Sequence, residues 1–322
     1  MTSSLSDIQT TSALSELNGI VRRSPDFFVF GCERSGTTLL GALLSEHRDV
    51  CVLNDTFIYH ALNNQGWPRM VRLIYKALAR AAPSPDLLSR AEAGHAPSLD
   101  RRVPVATTKR YFRTLVARYD RRNDGNWLGH YSQQLKEQGV LKAEFVTFRE
   151  LVDSVFAALV PVEQRGKALV GEKTPIHSHM QSWLRESYPG ARVVVLVRNP
   201  LTNVAAIYKR RRNLGVDGAI DVYLSYYEIS LAGLFSKADV VTVRYEDVVH
   251  SPESTVAKVH DWLGVESSPI PESFHYYLKQ AYIGQRIEPS RDTDLRAILT
   301  DSQQETVAER CAFLIERFYS AS

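Results

Sequence analysis

The stretch FVFGCERSGTTLL, residues 28–40, has the composition of a phosphate-binding loop between a strand and a helix. Gly31 and Gly36 stand at the spacing of the G-x-x-x-x-G-K-[ST] loop, whose backbone N–H groups cradle phosphate oxygens. The helix N-terminus adds partial positive charge at the same point. Where ATP- and GTP-binding loops hold lysine, this chain holds Thr37, with Arg34 three residues earlier. A triphosphate with Mg²⁺ is therefore a poor match, and an adenylate with one 5′-phosphate and a further small anionic group fits better.

Short apolar segments that end in polar or glycine residues predict the strands that must position such a loop. The predicted strands are FFVFG (27–31), DVCVLND (49–55), ALVGEKTP (168–175), RVVVLVRNP (192–200) and DVVTVRYEDVV (239–249). Segments with helical spacing or composition lie between and after them, at 37–47, 67–83, 254–265 and 302–319. Buried strands that alternate with helices indicate a parallel sheet covered on both faces. We therefore predict a P-loop-containing three-layer α/β fold with a central parallel sheet.

The 322 residues suffice for one large α/β domain. Residues 1–24 are rich in Ser and Thr and are expected to form a flexible N-terminal tail or a peripheral helix. Residues 25–322 are expected to form a single domain. It contains a mostly helical insertion at about 60–165, which is expected to lie on the acceptor side.

Composition limits the compartment and the partners. The net charge of +3 is too small to indicate nucleic acid. Three widely separated cysteines indicate neither a disulfide framework nor a zinc site, and they favour a reducing, cytoplasmic location. The N-terminus does not have the pattern of a secretory signal, and no run of 18 apolar residues predicts a membrane span. The oligomeric state stays open.

Four segments together resemble the sulfotransferases that use 3′-phosphoadenosine 5′-phosphosulfate (PAPS). GCERSGTTLL is similar to their 5′-phosphosulfate loop, and VVVLVRNPLTNVAAIYKR is similar to their 3′-phosphate segment. VTVRYEDVVHSPESTVAKVHDWLGV resembles their Tyr-Glu-Asp strand and the helix after it. GEKTP resembles the Lys-Thr-Pro of the branch that includes tyrosylprotein sulfotransferases and many bacterial enzymes. The resemblance covers about residues 26–55 and 168–320.

The resemblance implies in-line transfer of a sulfuryl group from PAPS to a hydroxyl or amine, which leaves 3′-phosphoadenosine 5′-phosphate (PAP). The acceptor stays open among small molecules, lipids, sugars and peptides. No metal is required. The motif HSH at 177–179 is weak evidence for one, because no third ligand accompanies it.

The resemblance also implies which residues bind the nucleotide. The loop residues are Arg34, Ser35, Gly36, Thr37, Thr38 and Leu39. Arg198 would bind the 3′-phosphate, at the strand end where α/β sheets place ligands. Arg210 would be a second 3′-phosphate arginine, unless KRRR at 209–212 is only a solvated basic run. Tyr245 would approach the nucleotide, or else belong to the core.

One position departs from the family pattern. Where relatives usually carry a serine that bonds the 3′-phosphate, eight residues after the strand arginine, this chain has Ala206. Thr202 or Asn203 would compensate, or the nucleotide would bind more weakly. A further basic residue near the nucleotide is left open among three candidates, Arg286, Arg291 and Arg296.

The transfer step needs a base and a cation. Asp55 is the preferred base, since it follows the second strand where the tyrosylprotein branch carries its catalytic Glu, although "NDT" is also good turn chemistry. Lys173 is expected to stabilise the departing phosphate oxygen, and Arg34 to contact the sulfonyl oxygens.

Other readings of the catalytic residues stay open. His60 and His47 are rival bases, because cytosolic sulfotransferases use His, although the helix before His47 is expected to pack away from the site. Lys173 would have a purely structural role if it paired with Glu172 or Glu144.

A basic stretch at 101–122 carries eight Lys or Arg against one acid, with aromatic residues between them. It would steer an anionic cofactor or acceptor, or simply form a solvated helix face.

Two other classes of function compete with the sulfotransferase interpretation. One is a P-loop nucleotide kinase or NTPase, and the other is a non-catalytic PAP- or partner-binding protein of the same fold.

Overall fold

The computed structural model describes residues 15–17, 20–63, 98–121, 127–231, 239–273, 287 and 295–320. The strands are β1 (Ser15–Leu17), β2 (Ile20–Arg22), β3 (Phe27–Gly31), β4 (Val50–Asn54), β5 (Leu169–Lys173), β6 (Arg192–Val197) and β7 (Val240–Arg244). The last five form a parallel sheet in the order β4-β5-β3-β6-β7. The predicted parallel sheet is therefore confirmed.

Helices cover the sheet. They are α1 (Thr37–Ser45), α2 (Ile58–Asn63), α3 (Val105–Arg121), α4 (Trp127–Glu137), α5 (Phe148–Leu159), α6 (Gln181–Ser187), α7 (Pro200–Arg210), α8 (Gly215–Leu231), α9 (Tyr245–His250), α10 (Pro252–Leu263), α11 (Asp301–Arg310) and α12 (Ala312–Tyr319). Between 58 and 165 the described residues are mainly helical, as the predicted insertion requires. The predicted helix at 67–83 lies outside the described residues.

Three element boundaries differ from the predictions. Within the stretch expected to be a flexible tail, β1 and β2 pair as an antiparallel sheet, and β2 packs on α5. The strand predicted over 239–249 ends at Arg244, where α9 begins. The predicted C-terminal helix is two helices that meet at Cys311, whose backbone leaves helical geometry with φ −105° and ψ 12°.

The sheet has a hydrophobic core on each face, and successive side chains of a strand point into opposite cores. Phe27 and Val29 of β3 pack with α1 and α10, whereas Phe28 and Phe30 pack into a larger core that the insertion helices complete. Every side chain of β3 is buried. This explains why the strand reads as a continuous apolar run rather than as an alternating one.

The strand order places a topological switch point at β3. After β4 and β5 have formed on one side of β3, the chain crosses to add β6 and β7 on the other side. Open α/β sheets bind ligands in the crevice outside the carboxyl ends of the strands at such a point. The loop that follows β3 lies there.

Candidate active site

The loop between β3 and α1 is shaped by a glycine whose backbone conformation and close packing disfavour any side chain. Gly36 precedes α1 with φ 99°, a left-handed conformation that favours glycine. A Cβ at this position would lie 2.3 Å from Cδ2 of Tyr245. The aromatic ring therefore packs directly against the loop backbone. Arg34, two residues earlier, is exposed and also has a positive φ of 66°.

Arg198 follows β6 and contacts the same loop. Its Nη1 donates a hydrogen bond to the carbonyl oxygen of Arg34 at 2.8 Å, and its Nε donates to Oγ1 of Thr202 at 3.2 Å. The guanidinium carbon lies 4.1 Å from the centre of the Tyr245 ring. Arg198 is 6% exposed, so its charge is held at the crevice rather than spread over the surface.

An acidic residue after Tyr245 fixes the end of β6. Oε1 of Glu246 accepts the backbone N–H of Asn199 at 2.9 Å, and Oε2 accepts the hydroxyl of Tyr319 at 2.9 Å. Sequence reasoning did not assign Glu246 a role, although the Tyr-Glu-Asp motif contains it. Glu246 connects the C-terminal helix to the residue that directly follows Arg198.

Asp55 and Lys173 form an ion pair on the other side of the loop. Nζ of Lys173 donates to Oδ1 of Asp55 at 2.8 Å and to Oγ1 of Thr38 at 3.0 Å. The Lys173 side chain is fully buried, whereas that of Asp55 is 18% exposed. The partner of Lys173 is therefore Asp55, and the expected alternatives Glu172 and Glu144 do not fill that place.

The five strand ends bring these residues together in a definite order. Because β5 and β6 flank β3, Lys173 and Arg198 lie on either side of the loop. The outer strands β4 and β7 contribute Asp55 and Tyr245. The order along the crevice is thus Asp55, Lys173, the loop, Arg198 and Tyr245: a carboxylate lies at one end, a cation on each side of the loop, and an aromatic ring at the other end.

Comparison with known proteins decides the family. Residues 25–269, most of the chain, match the model of a sulfotransferase family. The chain belongs to the sulfotransferase family. A search of curated proteins finds no match.

Solved structures agree with this family in fold. The sulfotransferase domain from the curacin biosynthetic pathway superposes with a TM-score of 0.55 at 13% identity, over 90% of this chain and 98% of that domain. The sulfotransferase domain from the olefin synthase of Synechococcus PCC 7002 gives 0.52 at 16% identity, over 93% and 96%. At identities this low, the superpositions show a common fold and do not specify the acceptor.

Two histidines that rivalled Asp55 lie in different surroundings in this sulfotransferase. Burial, with the charges of Arg118 and of His177 and His179, lowers the pKa of His60 in α2 to about 3, which makes its imidazole a weak base. His47 lies before β4, at the opposite edge of the sheet, where its Nε2 is hydrogen-bonded to the Glu266 carbonyl oxygen.

The helix after β6 contacts the loop through Asn203, and the residue that follows the helix, Arg211, contacts it as well. Arg210 is exposed at the end of α7, and the next residue, Arg211, forms a 2.6 Å ion pair with Glu33. Nδ2 of Asn203 donates to the Glu33 carbonyl oxygen at 3.0 Å. The basic run KRRR hid the specific contact of Arg211, because four consecutive cations look alike in the sequence.

Ala206 is buried in α7, 7% exposed, and the two residues expected to compensate for it are engaged within the protein. Thr202 accepts from Arg198 and donates to the carbonyl oxygen of Asn199 at 3.1 Å, and Asn203 binds the loop. Among the candidates for a further basic residue, Arg296 is exposed before α11, whereas Arg286 and Arg291 lie outside the described residues.

The basic stretch forms an exposed face of α3 and the turn before it. Its cations Arg101, Arg102, Lys109, Arg110 and Arg113 are exposed and Arg118 is half-buried, whereas its aromatic residues, Tyr111, Phe112 and Tyr119, are buried. Arg118 lies over the ring of Phe57, 3.7 Å from the ring centre. Within the described ranges no cluster of His, Cys, Asp and Glu has the makeup of a metal site. The helices described here include none that is long and apolar enough to cross a membrane.

Proposed function

We propose that this protein transfers a sulfuryl group from PAPS to a hydroxyl or amine of an acceptor molecule. The observation that carries the proposal is the order of side chains along the carboxyl edge of the sheet. A carboxylate paired with a lysine lies at one end, a phosphate-type loop lies in the middle, and an arginine clamped to that loop lies at the other end.

The residues present fit such a nucleotide. The loop offers the backbone N–H groups and hydroxyls of Thr37 and Thr38 at the start of α1, where the helix dipole favours an anion. Arg198, on one side, would bind the 3′-phosphate, and Lys173, on the other, would contact the bridging oxygen. Tyr245 packs against both the loop and Arg198, and so would keep the two phosphate-binding groups in register.

PAPS, when bound, supplies a sulfuryl group whose bond to a phosphate oxygen breaks as the acceptor atom attacks the sulfur in line. Asp55 would accept the proton of the attacking hydroxyl or amine, and its partly exposed carboxylate leaves room for the acceptor. Lys173 would stabilise negative charge on the departing phosphate oxygen from a fixed, desolvated position. Arg34 would contact the sulfonyl oxygens.

The three cysteines are free and buried, which supports the cytoplasmic location proposed from composition.

The acceptor would enter from the side of Asp55, next to the insertion helices, since the nucleotide-binding groups occupy the other end of the crevice.

The deciding experiment incubates the purified protein with PAPS and a panel of phenols, alcohols, amines, sugars and hydroxylated lipids. Intact mass spectrometry would detect the mass gain of one sulfuryl group, and the Asp55→Asn variant, expected to transfer much more slowly, is the matched comparison. A thermal-shift comparison of PAP with Mg-ATP separates the competing functions. Stabilisation by Mg-ATP alone would favour a kinase, and PAP binding without transfer to any acceptor would favour a non-catalytic protein.

A further inference from the structure

A fully buried carboxylate lies directly behind the proposed site. Glu172 precedes Lys173 in β5 and points to the opposite face of the sheet, because successive side chains of a strand alternate. Its Oε1 accepts the hydroxyls of Thr56, at 2.7 Å, and of Thr174, and its Oε2 lies 2.9 Å from Nδ1 of His177. Burying an ionisable group is costly unless it is partnered, so this cluster is more than ordinary core packing.

The hydrogen bonds of His177 determine its tautomer. The backbone N–H of His60 points at Nε2 of His177, with an N–N distance of 3.3 Å. A backbone N–H can only donate, so Nε2 must be the unprotonated ring nitrogen. The ring proton is therefore on Nδ1, which donates it to Glu172. His177 therefore links the start of α2, through the His60 backbone N–H, to the end of β5, through Glu172.

The segment between β4 and α2 depends on these contacts for its shape. Asp55 and Phe57 have φ of 52° and 55°, a left-handed conformation that is unfavourable for residues other than glycine. Thr56, between them, is held by its hydroxyl on Glu172 and by its carbonyl oxygen, which accepts from the Tyr119 hydroxyl.

The same short strand end thus acts on Asp55 in two ways. Lys173 binds the Asp55 carboxylate directly, and the Lys173 carbonyl oxygen accepts the Asp55 backbone N–H. Glu172 acts through the neighbouring residue, Thr56, from the other face of the sheet. Two unfavourable backbone conformations that are held from both faces indicate that the position of Asp55 is set by tertiary contacts.

We propose that Glu172, oriented by His177, is a positioning residue for the transfer step. Through Thr56 it determines where the Asp55 carboxylate lies relative to Lys173 Nζ. The inference rests on the proposed function, in which Asp55 takes the proton of the acceptor. A displacement of a reacting group by about 1 Å can reduce a rate about 10²-fold, so a change at Thr56 acts on turnover without touching the nucleotide.

The test uses Thr56→Val, which keeps the shape of the side chain and removes the hydroxyl that donates to Glu172. We expect kcat to fall by about 10-fold or more, while the Kd for PAP changes less than about twofold. Thr56→Ser, which restores the hydroxyl, should recover more than about half of the wild-type kcat. The matched control is Thr255→Val in α10, since Thr255 is also buried and its hydroxyl donates to the carbonyl oxygens of Asp247 and Ser251.

A second variant and a spectroscopic measurement address a Thr56→Val protein that fails to fold. Glu172→Gln keeps the oxygen that Thr56 binds but replaces the acceptor of His177 Nδ1–H, and it should also lower kcat at unchanged PAP affinity. Imidazole ¹⁵N NMR should find the proton of His177 on Nδ1 in the wild type. A proton on Nε2 would overturn the inference.

The kinetic outcomes separate this inference from the proposed function. A wild-type protein that transfers no sulfuryl group overturns the proposed function and this inference with it. A wild type that transfers, together with Thr56→Val and Glu172→Gln variants that keep their kcat, overturns only the positioning role. So does a loss of kcat that Thr255→Val reproduces at equal loss of stability, because that result would trace the effect to general destabilisation.

Discussion

Lys173 and Asp55 form one ion pair, with Nζ of the lysine 2.8 Å from Oδ1 of the aspartate, and Thr38 of the phosphate-type loop bonds the same Nζ at 3.0 Å. The lysine is fully buried, and the aspartate keeps 18% of its side chain exposed. The group proposed to stabilise the leaving oxygen therefore contacts both the proposed base and the loop. In the proposed reaction, Asp55 would take the acceptor's proton while Lys173 stabilises negative charge on the departing oxygen.

Asp55→Asn keeps size and polarity but removes the ability to take a proton at neutral pH. We expect kcat to fall roughly 10²-fold or more, with PAP affinity nearly unchanged. Single-turnover transfer and PAP titration measure the two quantities. Asp120→Asn, an exposed carboxylate on α3, controls for the charge change. Retention of more than about a third of wild-type turnover would exclude Asp55 as the base.

Lys173→Met removes the buried cation and retains most of the side-chain volume. Loss of one charge-stabilising donor in a desolvated site should lower kcat roughly 10²-fold or more. PAP should also bind more weakly, because the departing phosphate belongs to it. Lys136→Met on the exposed face of α4 is the matched control. A Lys173→Met enzyme with wild-type kcat would show that the lysine only neutralises Asp55.

Arg198→Ala tests the reading of the 3′-phosphate. Because the 3′-phosphate loses a charged partner, the binding free energy of PAP should become weaker by about 2–4 kcal/mol. The affinity for adenosine 5′-phosphosulfate, which lacks that phosphate, should fall much less. The fall that remains should come from loss of the hydrogen bond between Arg198 and the Arg34 carbonyl oxygen. Calorimetry with both nucleotides makes the comparison, and Arg48→Ala, an exposed arginine, is the control. Equal losses for both nucleotides would refute the assignment.

Gly36→Ala tests the contact between the loop and Tyr245. The new methyl group would lie 2.3 Å from the ring and would sit in a backbone conformation suited to glycine, so PAP affinity should fall. In a double-mutant cycle, the loss of PAP binding free energy in the Gly36→Ala/Tyr245→Ala variant should be smaller than the sum of the losses in the two single variants. The Tyr245→Ala change removes the clash with the new methyl group but not the backbone strain. Strict additivity would indicate that the ring and the loop act independently.

Stability should fall as the medium becomes acidic, because buried histidines resist protonation. Burial, assisted by His47, lowers the pKa of His260 to about 4, and burial lowers that of His179 to about 4. Between about pH 6.5 and 4 the unfolded chain binds more protons at these residues than the folded one does. The free energy of unfolding therefore falls as the pH is lowered through this range.

Asp153 contributes with the opposite sign, since burial raises its pKa to about 6. Urea unfolding at pH 7.5 and pH 5 measures the sum of these effects. His260→Gln should flatten the dependence by on the order of 1–2 kcal/mol across this range. An unchanged slope in that variant would show that His260 is not protonated on unfolding.

Much of the fold could be read from local pattern. β3, β4, β5 and β6 are short apolar runs with polar or glycine ends, and burial on both faces makes such runs conspicuous. The start of α9 at Tyr245 was harder to predict, because YEDVV has strand-like composition and the structure turns it into helix where the strand leaves the sheet. The loop at Gly36 was predictable, since its glycine spacing reflects a backbone requirement.

Local sequence is enough to identify the chemical groups available: a phosphate-type loop without its lysine, an arginine and a lysine at strand ends, and a carboxylate after β4. Which of these groups meet depends on tertiary packing. Asp55 and Lys173 are 118 residues apart, and they become partners because β4 and β5 are neighbours in the sheet. Arg198 reaches Arg34 because β6 lies beside β3. Strand order is a property of the whole packed sheet, and no local spacing encodes it.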